Sequence, residues 1–123
     1  MLNSFYEGWS LAATEALITG VPLIHSNCGS AYQLAGENQE RGIVVPNPAC
    51  APLDLTGEQV QRKGYTSQQA NTDILAGAMA QMIDERFAWL EKKDSIRDYA
   101  VDNFSFERTL DSYSRLIRQT LGY

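Results

Sequence analysis

The sequence predicts an α/β fold in which helices cover both faces of a parallel sheet, and three observations predict it. Two short runs, Pro22-Leu23-Ile24 and Gly42-Ile43-Val44-Val45, are continuously apolar rather than alternating, as strands buried on both faces require. A helix-like segment precedes the first run and a shorter one separates the two, which is the βαβ alternation of a parallel sheet. From Ile74 onward, apolar residues recur at helical spacing. Two strands against several helices is a lopsided inventory. Since stable sheets usually hold three or more strands, the sheet is expected to be incomplete in this chain.

The elements follow in chain order. Residues 1–6 are mostly apolar, Glu7-Gly8 interrupts them, and residues 9–18 are rich in Leu, Ala and Glu without Gly or Pro, so a loop feeds a helix. Gly20 can take the left-handed conformation that ends a helix, and Pro22 cannot continue one. Trp9, Leu11, Ala12, Ala13, Ala16, Leu17 and Ile18 go nearly all the way round, predicting a helix packed on more than one side. The first strand then leads into a polar, glycine-containing loop, residues 25–30. A short helix over residues 30–34 ends before Gly36, and Pro46 closes the second strand. Residues 48–70, rich in Pro, Gly, Gln and Thr, read as a loop insertion. Ile74, Leu75, Ala78, Met79, Met82 and Ile83 then mark an amphipathic helix for which Thr72 is the expected cap, with Met79 and Met82 in the core. A further helix is predicted over residues 87–101. Ser105 caps the last one, which carries Leu110, Tyr113, Leu116, Ile117 and Leu121. There is no internal repeat.

Composition narrows the function. At 123 residues, with 44% hydrophobic and 20% charged residues, the chain is one domain or part of one. Net charge is −5 and the ten Lys and Arg are scattered, which excludes the basic stripe that nucleic-acid binding needs. No apolar run approaches the ~20 residues of a membrane span, and the amino terminus lacks a signal-peptide pattern. The cytoplasm is the expected location, with peripheral contact to an inner membrane left open for the intact protein. Cys28, Cys50 and the single His25 match no zinc spacing and no disulfide framework, so both thiols are expected reduced and no metal is expected. His25 ends a buried strand, where a hydrogen bond to neighbouring backbone suits it better than general-base work.

The stretch Ser4-Phe5-Tyr6-Glu7-Gly8-Trp9-Ser10-Leu11-Ala12-Ala13-Thr14-Glu15-Ala16 resembles the group 1 glycosyltransferases, retaining enzymes of GT-B architecture with two facing Rossmann-like domains. The likeness continues through Gly20-Val21-Pro22-Leu23-Ile24 and Ser26-Asn27-Cys28-Gly29 to Gly42-Ile43-Val44-Val45-Pro46. Ser30 and Gln33 stand where the family commonly has a second glycine and a glutamate, and Ser10 where a glycine usually follows the aromatic. The resemblance implies a partial Rossmann-like domain: residues 1–123 would be the C-terminal segment of the donor lobe, with 48–70 as an insertion. The acceptor lobe and first donor-lobe strands would lie before Met1. It also implies retaining transfer from a nucleotide-diphosphate sugar to an acceptor hydroxyl, with no obligatory metal or cofactor. A nucleotide-sugar epimerase of related fold and a non-catalytic α/β interaction module are the alternatives. In the latter, the sheet edge would pair with another chain, and the incomplete sheet predicts self-association of this chain in any case.

Spacing gives the same segment a physical reading. Were residues 7–15 helical, Glu7 and Glu15 would stand ~12 Å apart along the axis, about the span from sugar to ribose in a nucleotide sugar. Between them, the backbone N–H groups of Gly8, Trp9, Ser10 and Leu11 and the positive end of the helix would suit the diphosphate. Gly8 lets a ligand approach the backbone. On the resemblance, Glu7 is the catalytic candidate at the donor sugar and Glu15 binds the ribose hydroxyls. The opposing reading makes both glutamates solvated helix charges. Asn27, Gly29 and Ser30 form a candidate donor loop at a strand's carboxyl end, with ordinary turn chemistry as the alternative.

Overall fold

The computed structural model describes residues 1–49 and 70–122. Its architecture is mixed α/β, with two parallel strands and several helices. The order is α1 (Leu11–Ile18), β1 (Leu23–Ser26), α2 (Ala31–Ala35) and β2 (Gly42–Val45), then α3 (Thr72–Asp84), α4 (Arg86–Glu91), α5 (Lys93–Phe104) and α6 (Phe106–Leu121). β1 pairs in parallel with β2, Leu23 opposite Gly42 and Ser26 opposite Val45. On the other side of β1, Leu2 forms a parallel bridge to His25: its N–H donates to the Ile24 carbonyl at 2.8 Å, and its carbonyl accepts from Ser26 at 2.9 Å. β1 is therefore hydrogen-bonded on both edges, although only two strands run any length among the described residues.

Strand alternation divides the core. Leu23 points into a cluster with Ala13, Leu17, Leu34, Ile96 and Ala100, which brings α1, α2 and α5 onto one face of the sheet. Ile24 points the other way and packs with Val45 and Ala78 of α3. The two faces are covered by different helices, as the continuous apolar runs require. Along the free edge of β2, the Val44 N–H, which points away from β1, donates to Gln39 Oε1 at 2.9 Å. One donor of the uncovered edge is thus already taken by a side chain.

Several expectations need correction. α1 opens at Leu11, not at Trp9, because Ser10 caps it: its Oγ accepts from the Ala13 N–H. α1 also buries only one stripe, Ala13, Thr14 and Leu17, while Leu11 is 72% exposed; among the described residues it is not surrounded. At the start of α3 the cap position belongs to Asn71, with Thr72 already helical. Met79 is largely exposed, and only Met82 packs against the core. The single helix predicted over residues 87–101 is two, broken at Lys92. The break falls where the chain passes Gly20: a Cβ there would stand 2.6 Å from Lys93 Cγ and 2.7 Å from the Lys93 carbonyl oxygen. α6 begins after the Ser105 cap as expected but buries no residue. The expected insertion at 48–70 lies, apart from its ends, outside the described residues. Those ends meet, with the Ala70 N–H donating to the Pro48 carbonyl at 3.1 Å.

Candidate functional site

The segment before α1 and the loop after β1 are two pieces of one candidate site, and Gly29 is the reason. Its φ of +51° lies in the left-handed region, and a Cβ on it would collide with the carbonyl oxygens of Glu7 and Gly8. Only glycine lets the 27–30 loop lie this closely on the Glu7-Gly8 peptide. The contact is sealed by the Ser30 N–H donating to the Gly8 carbonyl at 3.1 Å. Candidate residues that are far apart in sequence are thereby adjacent.

Glu7 is half-buried, and its Oε1 accepts from Ser4 Oγ at 2.8 Å, which fixes the carboxylate's direction. Gly8 is exposed with nothing within 4 Å of where a Cβ would stand, so the approach to its backbone is open. Trp9 is half-exposed. Its Nε1 donates to Thr14 Oγ1 at 2.9 Å and its ring meets Phe104 edge-on at 5.3 Å, so its indole packs toward α5. Ser10 is buried and spends its hydroxyl on the cap. The Thr14 N–H is taken by the Ser10 carbonyl, leaving, among the described residues, the donors of Leu11 and Ala12 at the open end of α1. Glu15 is exposed on that helix, one turn beyond Leu11. The separation of ~12 Å between Glu7 and Glu15 does not hold as derived, because helical rise applies only from Leu11 onward.

In the loop after β1, Asn27 has an exposed side chain and a backbone held by the Val45 carbonyl at 2.7 Å. Ser30 is buried, and its Oγ has no hydrogen-bond partner among the described residues. Beneath the loop, Ser26 Oγ donates to the Ser4 carbonyl at 2.6 Å, and Cys28 Sγ lies 3.6 Å from the same oxygen. Burial pushes the Cys28 thiol above its ordinary value of 9.0; the Ser26 hydroxyl opposes this and the negative charge of Glu7 adds to it. His25 is fully buried, with Nδ1 2.7 Å from the Ser26 carbonyl, the backbone contact expected of it, and with Nε2 unpaired among the described residues.

Two further residues hold this frame and were not picked out from sequence. Asn47, 2% exposed, donates from Nδ2 to the carbonyls of Phe5 at 2.9 Å and Asn27 at 3.3 Å, bridging the two pieces of the site. Asn71, 1% exposed, donates to Asn3 Oδ1 and the Pro46 carbonyl, both at 2.7 Å. In sequence both look like turn residues, and their only signal is proximity to Pro46 and to the start of α3.

With this geometry in view, comparison with known proteins finds a likeness. Over 89 residues the chain is 32% identical to glycogen synthase of Mycobacterium tuberculosis, in strain CDC 1551 / Oshkosh and in strain ATCC 25618 / H37Rv alike. The likeness is to a glycosyltransferase. The aligned region covers 72% of this chain and 20% of each relative, so the chain spans about a fifth of the proteins it matches. No family model matches the chain. No solved structure matches it either. Among the described residues, no helix is long and apolar enough to cross a membrane.

Proposed function

We infer that this chain is part of the nucleotide-sugar-binding lobe of a retaining group 1 glycosyltransferase with GT-B architecture. The observation that carries the reading is the closure of the Gly29 loop onto Glu7-Gly8. It joins the acidic segment, the open end of α1 and the loop at the carboxyl end of β1 along one edge, at the strand ends where α/β sheets bind ligands. The 32% identity to glycogen synthase supports the glycosyltransferase part of this assignment. The diphosphate of the donor takes the N–H groups of Leu11 and Ala12 and the positive end of α1. Glu15 accepts from the ribose hydroxyls. Glu7, held by Ser4, addresses the sugar and helps orient it as the bond to the diphosphate breaks; fixed dipoles and cations, rather than a resident metal, stabilise the leaving charge. The exposed Tyr6 and Leu11 and the apolar stripe of α6 provide surface for the rest of the enzyme.

The test is calorimetric titration of the intact enzyme with a nucleoside diphosphate. Glu15→Ala should weaken binding by ~1.5–3 kcal/mol, the range for hydrogen bonds to a charged group. Glu7→Ala should leave that affinity unchanged and depress turnover, because the sugar-free ligand lacks the group that Glu7 contacts. Equal losses in both variants, or none in either, would defeat the assignment.

A further inference from the structure

We propose that the groove between the α1–β1 connection and α4 binds a small amphipathic anion of the medium-chain fatty-acid class. The connection, residues 19–22, precedes β1, whereas the Gly29 loop follows it. The groove therefore stands at the other end of that strand from the candidate donor edge, shares no residue with it, and does not depend on the donor reading.

The groove has a volume of about 420 Å³, within the range of small-ligand sites. Its lining is mostly apolar: Val21 and Pro22 come from the connection, Met82 from α3, and Trp89 and Leu90 from α4. Trp89 belongs to the core cluster and is only 7% exposed, so part of the lining is fixed by packing. The rest faces water. Val21 is left 51% exposed and Leu90 62%, and taking such surface out of water is what draws a hydrocarbon chain into a groove.

The charges decide how that chain must end. Acidic residues outnumber basic ones 15 to 10 in the sequence, yet the charged residues of this lining are Arg86 and Lys93, with no carboxylate among the described residues. Both are exposed, and neither enters an ion pair among the described residues. They are nevertheless held in place. The Arg86 guanidinium lies 4.3 Å from the Phe87 ring centre, and its Nη1 donates to the Ile83 carbonyl at 3.3 Å, which leaves further donors on the group. Lys93 passes over Gly20, where a Cβ would stand 2.6 Å from its Cγ, so its stem lies against the groove's own wall. Trp89 adds an indole N–H with no acceptor among the described residues, so every charged or indole group of the lining is a donor. A ligand that matches has a hydrocarbon body and one anionic head that only accepts. Fatty-acid carboxylates have that division. A sugar phosphate would bring the charge without hydrocarbon for the lining, and a neutral lipid would leave both cations unpaired.

The experiment is calorimetric titration of the full chain with decanoate, octanoate and decanol as probes. Decanoate should bind saturably, and octanoate about tenfold more weakly because it buries two methylenes fewer. Arg86→Gln combined with Lys93→Gln should weaken decanoate about tenfold and leave decanol unchanged, whereas Leu90→Ser should weaken both. All three side chains are exposed, so an unchanged thermal melt shows that the fold is intact. No saturable binding of decanoate up to about 5 mM, a concentration that would reveal millimolar affinity, overturns the proposal. Equal affinity for decanoate and octanoate overturns it too, as does decanoate affinity indifferent to the paired substitution. Sedimentation with phosphatidylglycerol vesicles that free decanoate does not compete would assign the face to a membrane surface instead. Self-association that Leu90→Ser abolishes and decanoate leaves unaltered would assign it to a second copy, and either result sinks the fatty-acid reading.

Discussion

Replacing Gly29 with alanine should separate the two halves of the candidate site. The added Cβ collides with the Glu7 and Gly8 carbonyl oxygens and sits 2.8 Å from the Glu7 carbonyl carbon, all of them backbone atoms with no rotamer to yield. Two costs combine. Holding alanine at the φ of +51° costs ~1–2 kcal/mol, and relieving an overpacked contact costs typically ~1–3 kcal/mol. Together they predict a loss of ~2–5 kcal/mol. With a urea slope of about 1–2 kcal/mol/M for a protein of this size, the unfolding midpoint should fall by roughly 1–5 M. Gly8→Ala is the control. It is a neighbour in space, but its Cβ would meet nothing within 4 Å, so its midpoint should move by less than the equivalent of about 0.5 kcal/mol. Urea unfolding followed by far-ultraviolet circular dichroism measures both. If Gly29→Ala unfolds within that same 0.5 kcal/mol of wild type, the loop does not lie on the Glu7-Gly8 peptide and the composite site is wrong.

Two other perturbations bear on the same frame. Asn47→Ala removes the donors to the Phe5 and Asn27 carbonyls and the acceptor of the Ala49 N–H, all at a buried position, and should cost ~2–4 kcal/mol in thermal unfolding; a loss below about 0.5 would show that the bridge is dispensable. Cys28 has a thiol pKa raised by burial, so its stabilising effect is complete below the ordinary thiol pKa and is lost as pH rises through the higher folded value. In a Cys50→Ser background, alkylation of Cys28 by iodoacetamide at pH 8 should be slower in the native protein than in urea, and equal rates would refute the buried thiol.

The parts of the fold that could be read from sequence are those where a local pattern and the tertiary environment agree. β2 runs over the four residues of its apolar run, and β1 begins inside its own. β1 continues through His25 and Ser26, polar residues whose burial depends on bonds to Ser26 and Ser4 that no periodicity reveals. α1 starts late because Trp9 suggests a helix while Ser10 ends the preceding loop, and the cap wins. The break at Lys92 has no glycine or proline to announce it; its location depends on a crossing with Gly20 more than seventy positions earlier. For the candidate site, sequence marked residues on two segments. That they touch follows from a glycine conformation and two buried carboxamides, which are tertiary facts.

Asn47 and Asn71 stand just outside the two ends of the 48–70 segment, and the Pro48 carbonyl and Ala70 N–H join between them. The pair works as a clasp. It anchors both stems to residues 3–5, so the site frame is completed before and after the intervening chain, independently of that chain's length. Closure entropy grows only with the logarithm of loop size, and doubling the number of residues between the stems would cost just ~0.6 kcal/mol. The clasp therefore holds the spacing between Glu7 and the Gly29 loop from the stems, whatever the length of sequence between them.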